Sequence, residues 1–300
     1  MIIKISALNK SFKEKQVLHD ISLKINKGDI FGLVGPDGAG KTTFIRTILG
    51  LYLPDNGEIQ LFGSSDIEQA KSNLGYVPQE FSLNTDMTVW ENIALFAELQ
   101  NIKDFSARAE KLLKMVWLLD FKDRLAGNLS GGMKQKLALI CGIIHNPELL
   151  VLDEPTTGVD PVSRREFWQM LYRLNKEGLT ILISTPYMDE VELCTKIAFL
   201  HLGKVRALGS PTELLNKYPY LLYCIKGENI RAKIDKLYGL PAHTLYLKGD
   251  YLIAAFTNEE EKEAFMPKLE QTGLENFSVE QIPPSLEDLF GSLSESEQQT

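Results

Sequence analysis

The run Gly35-Pro-Asp-Gly-Ala-Gly-Lys41-Thr42 constrains this chain more than any other feature, because it fits the pattern G-x-x-x-x-G-K-[ST]. It follows residues 29–34, a short apolar segment that reads as a buried strand. It precedes residues 43–51, where Phe44, Ile45, Ile48 and Leu49 fall at helical spacing. A strand that ends in such a loop and feeds a helix is a phosphate-binding device. Its glycines let backbone N–H groups curl around an anion, and the helix amino terminus adds the positive end of a dipole. The expected nucleotide cradle is therefore Gly35, Pro36, Asp37, Gly38, Ala39, Gly40, Lys41, Thr42 and Thr43. Within it, Lys41 is expected to reach the β- and γ-phosphates, and the Thr42 hydroxyl to ligate Mg²⁺. Asp37 is an unusual acid in an anion cradle. Either it points outward to solvent or it weakens nucleotide affinity modestly.

A second segment, Leu149-Leu-Val-Leu-Asp153-Glu154, completes the pair. Four apolar residues predict a buried strand with Asp153 at its carboxyl end, where α/β sheets place ligands. Asp153 is the expected metal carboxylate, and Glu154 the group that orients and deprotonates an attacking water. Further apolar runs at 180–184 and 197–200 alternate with helical stretches such as 163–175. This predicts an α/β fold with a mostly parallel sheet. A turn at Gly203 and Lys204 then predicts a hairpin with residues 205–208.

Residues 81–145 read as a helical subdomain inserted between the first two strands. The composition shifts near residue 215, so the first domain is expected over 1–215 and a small α+β accessory domain over 216–290. Residues 291–300 are polar and are expected to form a disordered tail. No internal repeat is visible.

Composition narrows the class of partner. With 300 residues, 44% of them hydrophobic, the chain can bury ample core in one large or two modest domains. A net charge of −8 disfavours nucleic acid or anionic lipid as a general partner. No apolar stretch approaches the roughly 18–20 residues that span a bilayer. Lys4, Asn9, Lys10 and Lys13 interrupt any signal-peptide core. Cys141, Cys194 and Cys224 match no zinc or redox spacing and sit in apolar surroundings, as core side chains do. His19, His145, His201 and His243 are equally scattered. A cytoplasmic protein without a membrane span is expected.

The segment Leu129-Ser130-Gly131-Gly132-Met133-Lys134-Gln135 resembles the L-S-G-G-Q signature of ATP-binding cassette (ABC) proteins, with Met133 where Gln is usual. Physically, Ser130 is suited to cap a following helix whose free amides form another anion site. The resemblance covers roughly residues 1–215 and implies the P-loop ATPase fold of that family, with ATP and Mg²⁺ bound. It also implies that Ser130, Gly131 and Gly132 act on the ATP of a second cassette.

Other matches fall in the family's order. Gln79 lies where the family has a glutamine that touches metal and water and signals to the transmembrane partner. Phe12 lies where an aromatic stacks on adenine, although a core phenylalanine is the competing reading. Thr157-Gly-Val-Asp160 resembles the loop that contacts the opposite subunit. Ser184-Thr185-Pro186 departs from the family, whose switch carries histidine at the position of Pro186. Proline has neither a side-chain donor nor a backbone N–H. Losing one preorganised donor costs on the order of 10²–10³ in kcat.

The end of the accessory region, Pro284-Ser-Leu-Glu-Asp-Leu-Phe290, resembles export-type ABC ATPases. The resemblance thus implies the ATP-binding subunit of an exporter, peripheral on the inner membrane face through separate permease subunits. Residues 81–99 would receive the permease's coupling helix. Pairing with a second, complete cassette is favoured over a homodimer, since it leaves one site with its histidine. Two alternatives stand beside this reading. One is a nucleotide-gated regulatory cassette with little hydrolysis of its own. The other is a soluble ABC protein of translation or repair.

Overall fold

The computed structural model describes residues 1–295. The chain divides into two units, Met1–Pro211 and Thr212–Thr300, where the sequence suggested a division near 215.

In chain order the first unit runs β1 (Ile3–Phe12), β2 (Lys15–Ile25), β3 (Ile30–Val34), α1 (Lys41–Ile48), β4 (Asn56–Leu61), α2 (Ile67–Ala70) and β5 (Leu74–Val77). It continues with α3 (Val89–Leu99), α4 (Ser106–Met115), α5 (Gly131–Ile143), β6 (Leu149–Asp153), α6 (Pro161–Lys176), β7 (Thr180–Thr185), α7 (Met188–Val191), β8 (Lys196–His201) and β9 (Lys204–Gly209). Two sheets organise it. One has six strands in the order β5-β6-β7-β3-β8-β9, all parallel except the β8–β9 hairpin. The other is antiparallel, in the order β2-β1-β4.

Helix α1 lies between the sheets. Its Phe44, Ile45 and Ile48 share one core with Ile3, Ile5 and Leu23 of the antiparallel sheet and with Val151 and Leu182 of the parallel one. The opposite face of the parallel sheet carries α5 and α6. Strands β3, β6 and β7 are buried along their whole length, and so read as continuous apolar runs rather than alternating ones. Their predicted positions agree with the structure to within a residue.

The antiparallel sheet was not foreseen. Ala7, at φ 51°, marks a bulge in β1, and the β1–β2 register shifts repeatedly. Those breaks disrupt the two-residue alternation by which a strand is recognised. Residues 81–145 hold α3, α4 and α5, but the stretches between these helices are short 3₁₀ turns and loops rather than continuous helix.

The short helix α8 (Pro211–Leu215) crosses the division between the units. The second unit then runs β10 (Leu221–Lys226), α9 (Ile234–Leu237), β11 (Thr244–Lys248), β12 (Tyr251–Phe256), α10 (Glu259–Gln271), β13 (Ser278–Ile282) and α11 (Leu286–Glu295). Its sheet is antiparallel, in the order β11-β12-β10-β13. Tyr223 and Ile225 face a core with Leu237, Phe265 and Leu269. The alternate residues Leu222 and Cys224 face a second cluster with Ile253 and Tyr246.

Helix α11 corrects one expectation. Leu286, Leu289, Phe290 and Leu293 recur at i, i+3, i+4 and i+7, so residues 291–295 continue an amphipathic helix instead of a disordered tail. Residues 296–300 lie outside the described residues. No described helix is long and apolar enough to cross a membrane. All three cysteines are buried.

Candidate active site

Parallel pairing brings the carboxyl ends of β5, β6, β7 and β3 to one edge of the sheet, and each delivers a different functional group there. Strand β3 delivers the glycine-rich loop. A Cβ on Gly35 would lie 2.1 Å from the Leu200 carbonyl oxygen, so no side chain fits where the loop leaves the sheet. Gly40 caps α1 at φ 106°, a conformation that glycine adopts at little cost. The first-turn amides of α1 have no carbonyl one turn earlier to bond, so they are donors for an anion. Asp37 is exposed, as the solvent-facing reading requires.

Lys41 is 4% exposed. Its Nζ donates to the carbonyls of Gly35 at 2.8 Å and Pro36 at 3.0 Å, and lies 3.1 Å from Glu154 Oε1. The other carboxylate oxygen of Glu154 accepts from Gln79 Nε2 at 3.0 Å, with the Thr157 hydroxyl at 3.4 Å. Lys41, Glu154 and Gln79, which lie far apart in sequence, thus meet in one cluster.

Asp153 lies beside them. Its Oδ1 accepts from Thr42 Oγ1 at 3.2 Å and from Ser184 Oγ at 2.7 Å. Its Oδ2 is buried and has no hydrogen-bond partner. Burial pushes the carboxyl above its ordinary value, against the opposing pull of the Ser184 and Thr42 hydroxyls. An orphaned carboxylate oxygen next to a threonine hydroxyl is the hard-oxygen donor set that suits Mg²⁺, which is usually held by one or two carboxylates plus substrate phosphates. Among the described residues no cluster of three His, Cys, Asp or Glu side chains forms an all-protein metal cage.

The remaining predicted residues are held locally. Phe12 is 41% exposed and meets Tyr52 edge to face at 5.1 Å; it is therefore not a core phenylalanine. Tyr52 is in turn held by Arg46 of α1 at 3.1 Å. Ser130 caps α5 by accepting from the Met133 amide at 3.3 Å. Gly131 is exposed, with nothing within 4 Å of an added Cβ. On Gly132 that atom would lie 2.5 Å from Ser163 Oγ. Asp160 caps α6 through the amides of Val162 and Ser163, and hydrogen bonds from Ser163 hold its carboxyl below the ordinary value. Pro186 follows Thr185 directly at the end of β7.

Two contributors were not singled out from sequence. Ser184 bridges the two acidic residues, donating to Asp153 and accepting from the Glu154 amide at 2.9 Å. Its place at the carboxyl end of a buried strand, opposite Asp153 in the β6–β7 register, was the available signal. Tyr52 carries no sequence mark at all.

This geometry defines a P-loop nucleoside-triphosphatase. The family described as ABC transporter matches residues 18–157. The chain is 33% identical over 300 residues to the Nod factor export ATP-binding protein I of Rhizobium sp. (strain N33), covering 96% of this chain and 95% of that relative. It is 43% identical over 220 residues to the probable multidrug ABC transporter ATP-binding protein YbhF of Escherichia coli (strain K12), but covers only 38% of that relative's length. Among solved structures, the one titled ATP binding subunit of ABC transporter superposes with a TM-score of 0.67 at 27% identity, over 73% of this chain and 93% of that one. The Clostridium perfringens cbiO1 structure gives 0.65 at 27% identity, over 72% and 91%. The chain belongs to the ABC transporter ATP-binding family, as an α/β P-loop ATPase.

Proposed function

We propose that this chain binds MgATP on the loop from Gly35 to Thr43 and hydrolyses it to drive an exporter whose membrane-spanning subunits are separate chains. The observation that carries the hydrolytic part is the convergence of Lys41 and Gln79 on Glu154, beside Asp153, at one sheet edge. Glu154 is the base. Held against the loop, it accepts a proton from the attacking water while Gln79 orients that water. Lys41 leaves its carbonyl and carboxylate partners for the β- and γ-phosphates. Thr42, Asp153 and Gln79 would hold Mg²⁺, which neutralises charge on the phosphate oxygens. Phe12 supplies the adenine platform from its exposed face.

Export is supported by the names of relatives that match along most of their length. Docking on a permease is supported by a groove lined by Leu51, Ile67, Phe96, Gln100 and His145, between the sheet and α3. The chain is then cytoplasmic and peripheral on the inner membrane face.

Ser130, Gly131 and Gly132, with no contact of their own that needs the exposed Gly131, act on the ATP of a second cassette. Pro186 stands at the switch position without a donor, and it favours a heterodimer in which the partner cassette supplies a complete site. The test is phosphate release by the purified chain alone with MgATP. Slow turnover, which Glu154→Gln removes, supports this reading. Turnover of about one per second or faster, in the ordinary enzyme range, overturns the impaired-site assignment for Pro186.

A further inference from the structure

Glu190 is 1% exposed, a depth at which a carboxylate must be paired. One oxygen accepts from the Thr156 hydroxyl and the other from the Thr185 hydroxyl, each at 2.6 Å. Arg164 Nε lies 3.5 Å from Oε1, and its guanidinium stacks on the Tyr187 ring at 4.1 Å. No part of the proposed hydrolysis uses this cluster.

Its position gives it a task. Thr156 lies two residues after Glu154, whose φ of 47° is left-handed and strained for a residue with a side chain. Such strain persists only where neighbours over-determine it. On one side the Ser184 hydroxyl holds the Glu154 amide. On the other, Glu190 holds Thr156, which lies inside the turn that the Thr157 amide closes by donating to the Glu154 carbonyl at 3.2 Å. The Thr185 hydroxyl, while donating to Glu190, accepts from the Tyr187 amide at 3.1 Å and so shapes the turn at Pro186. Arg164, in the first turns of α6, ties the same carboxylate to the helix that Asp160 caps.

We propose that Glu190 is a positioning residue that locks the left-handed turn at Glu154 to the end of β7, fixing where the Glu154 carboxylate points. This rests on the reading of Glu154 as the base. It assigns Glu190 no contact with substrate. Thr156 and Thr185 are the two limbs of the clamp, and a loss in either moves the base without touching the phosphate loop.

The variants Glu190→Gln, Thr156→Val and Thr185→Val each break a limb at nearly constant shape. Phosphate release should show kcat down about tenfold for Thr156→Val, as expected for one lost hydrogen bond to a charged group. KM for MgATP and affinity for a fluorescent ATP analogue should stay within about twofold. In a Glu154→Gln background the same substitutions should lower the residual rate no further, because no base remains to be positioned. The clamp is overturned if folded, ATP-binding variants keep kcat within about twofold, or if they slow Glu154→Gln by the same factor. If Glu190→Gln does not fold, the two threonine variants decide. Full activity in Glu154→Gln itself overturns the base reading, which is a distinguishable failure.

Discussion

Replacing Lys41 by methionine isolates the strongest interaction in the site. Lys41 and Glu154 have side chains 3% and 8% exposed, with their charged atoms 3.1 Å apart. At an effective dielectric constant of about 20, charges about 3 Å apart attract by roughly 5 kcal/mol. Much of that offsets the desolvation of both groups. Removing one partner, however, leaves the other charged and buried, at a cost of roughly 3–5 kcal/mol. After Lys41→Met, the Glu154 carboxylate keeps only Gln79 and Thr157. For a unit of this size each kcal/mol moves Tm by about 2–4 °C, so Tm should fall by roughly 6–20 °C. Adding Glu154→Gln removes the stranded charge, and the double variant should recover most of the loss. Trp90, Trp117 and Trp168, all three tryptophans of the chain, lie in the first unit. Their fluorescence therefore reports its melting directly, without nucleotide and at neutral pH. A double variant no more stable than Lys41→Met refutes the buried-pair account.

Other outcomes follow from the same geometry. Gly132→Ala should lower the stability of the first unit, because its Cβ meets Ser163 at 2.5 Å; Gly131→Ala, with open space around it, should melt as the parent does and fail only in ATP-driven pairing of cassettes, read by light scattering. Phe12→Ala should weaken ATP binding about tenfold, the worth of one base stack, while inorganic triphosphate, which has no base, binds equally to both proteins in competition titrations. Burial holds His145 below its ordinary value, so the unfolded chain takes up a proton that the folded chain refuses. Its contribution is lost as pH falls through about 6.5. His145→Gln should therefore flatten the decline of urea midpoints between about pH 7.5 and 5.5.

The site was more legible in the sequence than the fold around it. A buried strand, a glycine-rich turn and an amphipathic helix are local patterns, so β3, the cradle and α1 could be read residue by residue, as could Asp153 and Glu154 at the end of an apolar run. What escaped notice depends on non-local contact. The bulge at Ala7 broke the alternation of β1, and with it the antiparallel sheet that carries Phe12. Ser184 and Glu190 carry no local mark of their roles; only the β6–β7 register brings Ser184 to Asp153, and only the folded chain brings Glu190 to Thr156. The start of α6 was read two residues late, at 163 instead of Pro161, because its cap Asp160 and the proline after it lie outside the apolar pattern.

The central claim is that Glu154 is the base of an ATPase whose cradle binds nucleotide independently of it. Purified chain and Glu154→Gln should be compared for ATP affinity and phosphate release in the same buffer, with and without Mg²⁺. The account predicts Mg²⁺-dependent release from the parent and an ATP affinity in the variant at least equal to the parent's, because Lys41 is freed from its carboxylate, with release reduced by on the order of 10²-fold or more. Release from Glu154→Gln at the parent's rate contradicts it.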